Sequence, residues 1–137
     1  MSAEGAESAA PDPSSPSAHA RVAWVVGAVV CALGVALGAF GSHGLERVVT
    51  EERLLDVWDT GVRYHQLHGL AICLLGAAPA GRRGMVWLFV AGILLFSGSL
   101  YALALTGIGI LGAITPLGGL CFLTGWTWLA VASWRAR

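Results

Sequence analysis

Four long stretches of the chain are almost free of charge, and each is long enough to matter for a membrane. Val22 to Phe40 carries no charge at all. It has the length needed to cross roughly 30 Å of hydrocarbon. A polar stretch, Ser42 to Gly61, follows. A second apolar span runs from about Val62 to Ala78 and stops at Pro79. Its first turns are polar and its last turns purely apolar. A basic loop, Gly81-Arg82-Arg83-Gly84, leads to a third span over Met85 to Leu105. The fourth runs from about Ile110 to Trp134, with Pro116 near its start, where helices tolerate proline best. The pattern predicts an all-α membrane protein with four transmembrane helices in an up-down bundle (spans about 22–40, 62–78, 85–105 and 110–134).

Two segments lie outside the spans. Residues 1–19 are rich in Ser, Ala, Pro and Glu without apolar periodicity, and are expected to be a disordered tail. The transmembrane domain then covers 20–137. Within the polar stretch, Thr50 precedes Glu51 and Glu52 like an N-cap with acids at the positive helix end. Leu54, Leu55, Trp58 and Val62 recur at helical spacing, with Glu52, Asp56 and Asp59 off that stripe. This predicts a short amphipathic segment lying at the interface before the second span.

Composition agrees with the spans. Hydrophobic residues make up 56% and charged residues 12%, against about 25% charged in soluble domains. The net charge is zero, so charge provides no basis for nucleic-acid binding. Cys31, Cys73 and Cys121 are scattered in apolar stretches and form no CxxC pair. They are expected as small apolar groups at helix contacts.

Arginine counting orients the spans. Arg21, Arg82, Arg83, Arg135 and Arg137 fall on one side, and Arg47, Arg53 and Arg63, diluted by acids, on the other. Both termini are therefore expected in the cytoplasm. Trp24, Trp87 and Trp134 would stand near the inner interface and Trp58 near the outer one.

The same threading gathers the polar side chains at one leaflet's depth: His43, Arg63, Tyr64, His68, Ser97, Ser99, Tyr101 and Thr115, with His65 beside them. They could converge on a polar cavity, since ionisable groups at membrane depth are functional candidates. They could equally stand in the headgroup region and hydrogen-bond helix backbones. Gly34 and Gly38 form a small-xxx-small pair, and Gly41, Gly98 and Gly118 extend the set of candidate helix-packing positions. Tyr64, His65 and His68 lie near one another on the second helix, but no carboxylate or Cys–His cluster completes a ligand set. No metal site and no cofactor is expected. Gly107, Gly109 and Gly112 match GxGxxG literally, but no strand precedes them, so dinucleotide binding is rejected.

Four ordered blocks, ALGAFGSHGLE (36–46), WDTGVRYHQLHGLAI (58–72), LFSGSLYALALTG (95–107) and GAITPLGGLCFLTGW (112–126), resemble the signature of the YgdD-like family. These are small multi-pass membrane proteins catalogued as domain of unknown function 423, with a eukaryotic relative, transmembrane protein 256. The resemblance covers nearly everything from Val22 to Trp134 and implies a four-helix protein of bacterial inner membranes. It implies no substrate or reaction. The family blocks map onto Gly41, His43, Gly44, Tyr64, His68, Ser97, Gly98, Ser99, Tyr101, Thr115, Pro116 and Gly118. The resemblance leads to an expectation of Ala where Ser42 stands and of Gln where His65 stands.

Three function classes follow. The favoured one is a non-enzymatic accessory protein that packs through Gly-rich faces, as a homo-oligomer or as a subunit of a larger membrane complex. The second is a transporter or channel for a small solute or proton. The third is a haem- or metal-binding protein built on His43 and His68. The lipid bilayer is the one partner expected in every case.

Overall fold

In the computed structural model, residues 17–77 and 83–136 are described, and every regular element among them is helical. Helix α1 is Ala18–His43, α2 is Glu52–Gly76, α3 is Arg83–Gly92, α4 is Gly98–Thr106 and α5 is Thr115–Arg135. A π-helical stretch, Ile93–Ser97, joins α3 to α4 without a break. Short 3-10 turns, Leu45–Arg47 and Gly109–Ala113, lie between α1 and α2 and between α4 and α5.

Three helical runs are long and apolar enough to cross a membrane: Ala18–His43, Arg83–Thr106 and Gly109–Arg135. Their surfaces are inverted relative to a soluble bundle. Val25, Leu33, Val35, Leu94 and Leu123 are largely exposed, while His65, His68, Ser97 and Ser99 are buried. A large exposed apolar surface over a polar interior suits a hydrocarbon solvent.

Several sequence expectations need correction. The segment before the second span is not a separate interfacial turn. It forms the first turns of α2, whose Leu54 and Trp58 are buried. Burial of that apolar stripe against α1 and α4 draws the helix through. Trp58, expected at the outer interface, is only 2% exposed. Its indole N–H donates to the Leu37 carbonyl at 3.0 Å, because an indole inside the bundle requires an acceptor. Thr50 is not the N-cap; Glu51 takes that position. The last residues of the expected tail are ordered: Ser17 caps α1, its hydroxyl accepting from the Ala20 N–H at 3.2 Å. The rest of the expected tail, and Gly81 and Arg82 of the basic loop, lie outside the described residues. The last long helix starts at Thr115, since Pro116 fits only a first turn.

Helix α2 is the centre of the fold. It packs along α1 on one side and against α3, the π-helical stretch and α4 on another, and α5 packs on the far side of α3–α4. No packed seam joins α1 to α5. This fits the mixed polarity of α2: Trp58, His65 and His68 are buried against its neighbours, while Glu52, Asp56, Asp59 and Arg63 stay exposed.

Two kinds of close contact hold these seams. On α1, glycines at seven-residue intervals face α2. A Cβ on Gly27 would meet the Cys73 backbone nitrogen at 2.7 Å, one on Gly34 the Gln66 side chain at 2.9 Å, and one on Gly41 the Trp58 ring at 2.7 Å. A seven-residue repeat keeps one face toward its partner along a left-handed crossing. Gly38 is looser, its Cβ position 3.3 Å from Val62. Cys73 and Cys31 lie in the same seam, Cys31 opposite Gly69. Between α3–α4 and α5, glycines alternate with aromatic rings. Gly84 faces Trp128, Gly125 faces Phe89, Gly92 faces Phe122, and Gly118 faces the Phe96 backbone. Each ring fills the space that a glycine leaves. Gly98, expected as a packing position, meets only the Ile93 carbonyl at 4.0 Å. It instead closes the π-helical stretch, its N–H donating to that carbonyl.

Candidate functional site

The polar residues fall into small groups, each bridging two or three helices. The first group centres on His65. Its Nε2 lies 3.0 Å from the Val30 carbonyl of α1, and its Nδ1 lies 3.3 Å from the Tyr101 hydroxyl of α4. A carbonyl can only accept, so Nε2 carries the proton. A ring buried without a carboxylate beside it stays neutral, so Nδ1 accepts from Tyr101. Trp58 stacks beside Tyr101 with ring centroids 4.6 Å apart. Val30 and Leu37 are two turns apart on α1, as are Trp58 and His65 on α2. Each pair is one rung of an antiparallel ladder, with the α2 side chain donating to an α1 carbonyl.

The second group centres on His68. Its Nδ1 lies 2.8 Å from the Tyr64 carbonyl one turn back, and the Trp126 indole N–H donates to its Nε2 at 3.1 Å. An indole is only a donor, so Nε2 must present its lone pair and Nδ1 must carry the proton. The ring stacks on Phe122, centroids 3.4 Å apart and planes 9° apart. Tyr64 covers the group from outside against Phe96, centroids 4.4 Å apart. The two histidines are thus both neutral, in opposite tautomers, with every ring nitrogen engaged by this chain.

The third group links α4 to α5. The Ser99 hydroxyl donates to the Phe96 carbonyl at 2.9 Å and accepts from the Thr115 hydroxyl at 2.8 Å. The Phe96 carbonyl lies in the π-helical stretch, where the wider turn frees backbone acceptors. Ser97 is fully buried and its hydroxyl has no hydrogen-bond partner among the described residues.

Val30 lies at the middle of α1, roughly 18 Å from either end at 1.5 Å per residue. His65 and His68 therefore lie near the middle of the helices' length, since α2 starts at Glu52. His43 and Arg63 are exposed and stand apart from the buried groups. Tyr64 is exposed, whereas His68, Ser97 and Ser99 are buried; Tyr64 and His68 share one group, and Ser99 and Thr115 another. Among the described residues, no three His, Cys, Asp or Glu side chains come together.

A family described as a protein of unknown function, DUF423, matches residues 37–119. The chain belongs to this family. It is 47% identical over 119 residues to the UPF0382 membrane protein YwdK of Bacillus subtilis, covering 82% of this chain and 96% of that one. It is 42% identical over 115 residues to a UPF0382 membrane protein of Staphylococcus haemolyticus, covering 81% and 93%. A third relative, from Staphylococcus saprophyticus, is 40% identical over 119 residues, covering 84% and 98%. No solved structure matches.

The DUF423 match includes Trp58, His65, His68, Ser99, Tyr101 and Thr115 but ends before Trp126. Sequence reasoning missed three participants: Trp58 and Trp126 as donors, and His65 as the bridge to α1. The available signal was chemical. An indole deep in an apolar span needs an acceptor, and backbone carbonyls, hydroxyls and imidazoles are what such a span supplies.

The geometry of His65 also explains how glutamine could replace it. An amide offers one donor for Val30 and one acceptor for Tyr101. The His65→Gln protein should lose less than about 1 kcal/mol, whereas His65→Leu should lose about 1–3 kcal/mol by stranding the Tyr101 hydroxyl. Denaturation of the purified proteins followed by tryptophan fluorescence would show the difference. Equal stability of Gln and Leu variants would rule out the bridge.

Proposed function

We propose that the chain crosses the bacterial plasma membrane four times, with both termini cytoplasmic, and serves as a non-enzymatic accessory subunit that packs against other membrane helices. The observation that carries this reading is the closure of the two buried histidines of α2. His65 and His68 spend every ring nitrogen on partners within the chain, which leaves them as struts between helices. Helix α2 supplies the fourth crossing, its His65 and His68 bonded to α1, α4 and α5. The bulk of the arginines at the Arg21–Arg83–Arg135 end favours that end inside.

The open side between α1 and α5 supports the accessory role. It leaves Leu67, Leu70 and Leu74 of α2 exposed as an apolar stripe. Another helix, from a second copy or a larger assembly, would complete the ring around α2. A cysteine at Leu70 should cross-link in native membranes to a second copy or to one defined protein. A protein that stays monomeric there, and is recovered alone in mild detergent, would end this reading.

The mid-depth position of two histidines favours one rival, a proton or small-solute pathway. Flux through proteoliposomes would separate the two. The accessory reading expects identical flux for wild type and His68→Ala, and a flux that depends on His68 would replace it.

A further inference from the structure

Far from the buried histidines, the first turns of α1 and α3 meet at the arginine-rich end and enclose a cleft of about 200 Å³. His19 and Arg83 line it, together with Val22, Val86 and Trp87. His19 is 6% exposed, yet its Nε2 has no hydrogen-bond partner among the described residues. A buried ring nitrogen without a partner is costly and asks for an occupant. Arg83 forms no ion pair among the described residues; the one found there joins Arg53 to Glu51 at the opposite end.

The electrostatics of the cleft have one sign. Both helices point their N-terminal, positive ends at it, and neither has an acid in its first turn. By contrast, α2 carries Glu52 in its first turn. The walls are apolar: Val22 is 50% and Trp87 59% exposed, and both face the side where lipid chains would lie. A cationic, donor-rich floor beneath apolar walls matches a phosphate group attached to acyl chains.

We propose that this cleft binds the phosphate of an anionic phospholipid. The His19 Nε2–H and the Arg83 guanidinium donate to the phosphate oxygens. An acyl chain lies along Val22 and Trp87. Free inorganic phosphate shares the headgroup chemistry but not the apolar contact.

Native mass spectrometry of the full chain tests this with phosphatidylglycerol, phosphatidylcholine and inorganic phosphate as probes. Wild type should retain one phosphatidylglycerol under activation that strips phosphatidylcholine. His19→Ala and Arg83→Gln should each weaken that retention about tenfold, the effect of one charge-assisted hydrogen bond. Arg21→Gln removes the same charge at the same end but outside the cleft, and should change nothing. If His19→Ala fails to fold, His19→Phe keeps the ring shape without the donor and should show the same loss. Equal retention of the two lipids by wild type, or an equal loss in Arg21→Gln, would overturn the proposal. Binding of inorganic phosphate that depends on His19 and Arg83, and that phosphatidylglycerol fails to displace, would overturn the lipid assignment.

Discussion

Gly118→Ala should destabilise the protein by about 2 kcal/mol or more, although it adds a single methyl group. Its neighbour provides the contrast. Gly119→Ala should change stability by less than about 0.5 kcal/mol, since a Cβ there meets only the Phe96 ring edge at 4.0 Å. At Gly118 the Cβ would overlap the backbone nitrogen and Cα of Phe96, which cannot swing aside as a side chain can. The backbone reaches that close because the π-helical turn carries Phe96 toward α5. In a bilayer, helix association gains nothing from leaving water, so close packing carries much of the energy. Parallel denaturation of the two variants in detergent or bicelles reads the difference. Equal effects at both positions would show that α5 does not pack on α3–α4 in this register.

His68→Ala should cost about 3 kcal/mol. Two losses combine. The Trp126 N–H, part-buried among apolar side chains, would be left without its acceptor, which costs about 1–3 kcal/mol. A void would also open where the imidazole stacks on Phe122. His68→Phe separates these terms, because it fills the void but still strands the indole. The expected order of stability is wild type, then His68→Phe, then His68→Ala. Adding Trp126→Phe to the His68→Phe background should restore part of the loss, since both polar partners would then be gone. If His68→Ala were as stable as wild type, the α2–α5 strut would be absent.

Much of the fold was legible in the sequence, and for a simple reason. Hydrocarbon demands long uncharged runs, and α1, the α3–α4 run and α5 appear where those runs lie. The run after Pro79 and the position of Pro116 were equally plain. Helix α2 was harder. Its first turns carry Glu52, Asp56 and Asp59, so a reading for apolar length began the helix ten residues late. Glu52, Asp56 and Asp59 stay exposed while Leu54 and Trp58 between them are buried, so the apolar stripe, not the charge, marks the start of the helix.

The candidate site was half legible. Tyr64, His68, Ser99, Tyr101 and Thr115 do bridge helices, but His43 and Arg63 remain at the exposed surface. Their partners could not be read because they are tertiary: Val30 and Leu37 contribute carbonyls, and every residue has one. The glycines show the same division. Gly34, Gly41 and Gly118 stand at close crossings, whereas Gly98 does not. Spacing marks glycines that share a face, and only the partner helix decides which of them is pressed.

The central claim is that His65 and His68, buried on α2, are closed struts rather than an open site. Nitrogen-15 NMR of the two imidazoles, in the full chain reconstituted in bilayers, tests it most directly. The hydrogen bonds require neutral rings in opposite tautomers, with the proton on Nε2 of His65 and on Nδ1 of His68. Both signals should persist at neutral pH without averaging between tautomers. Two rings in the same tautomer, or rings exchanging protons with bulk water, would contradict the account.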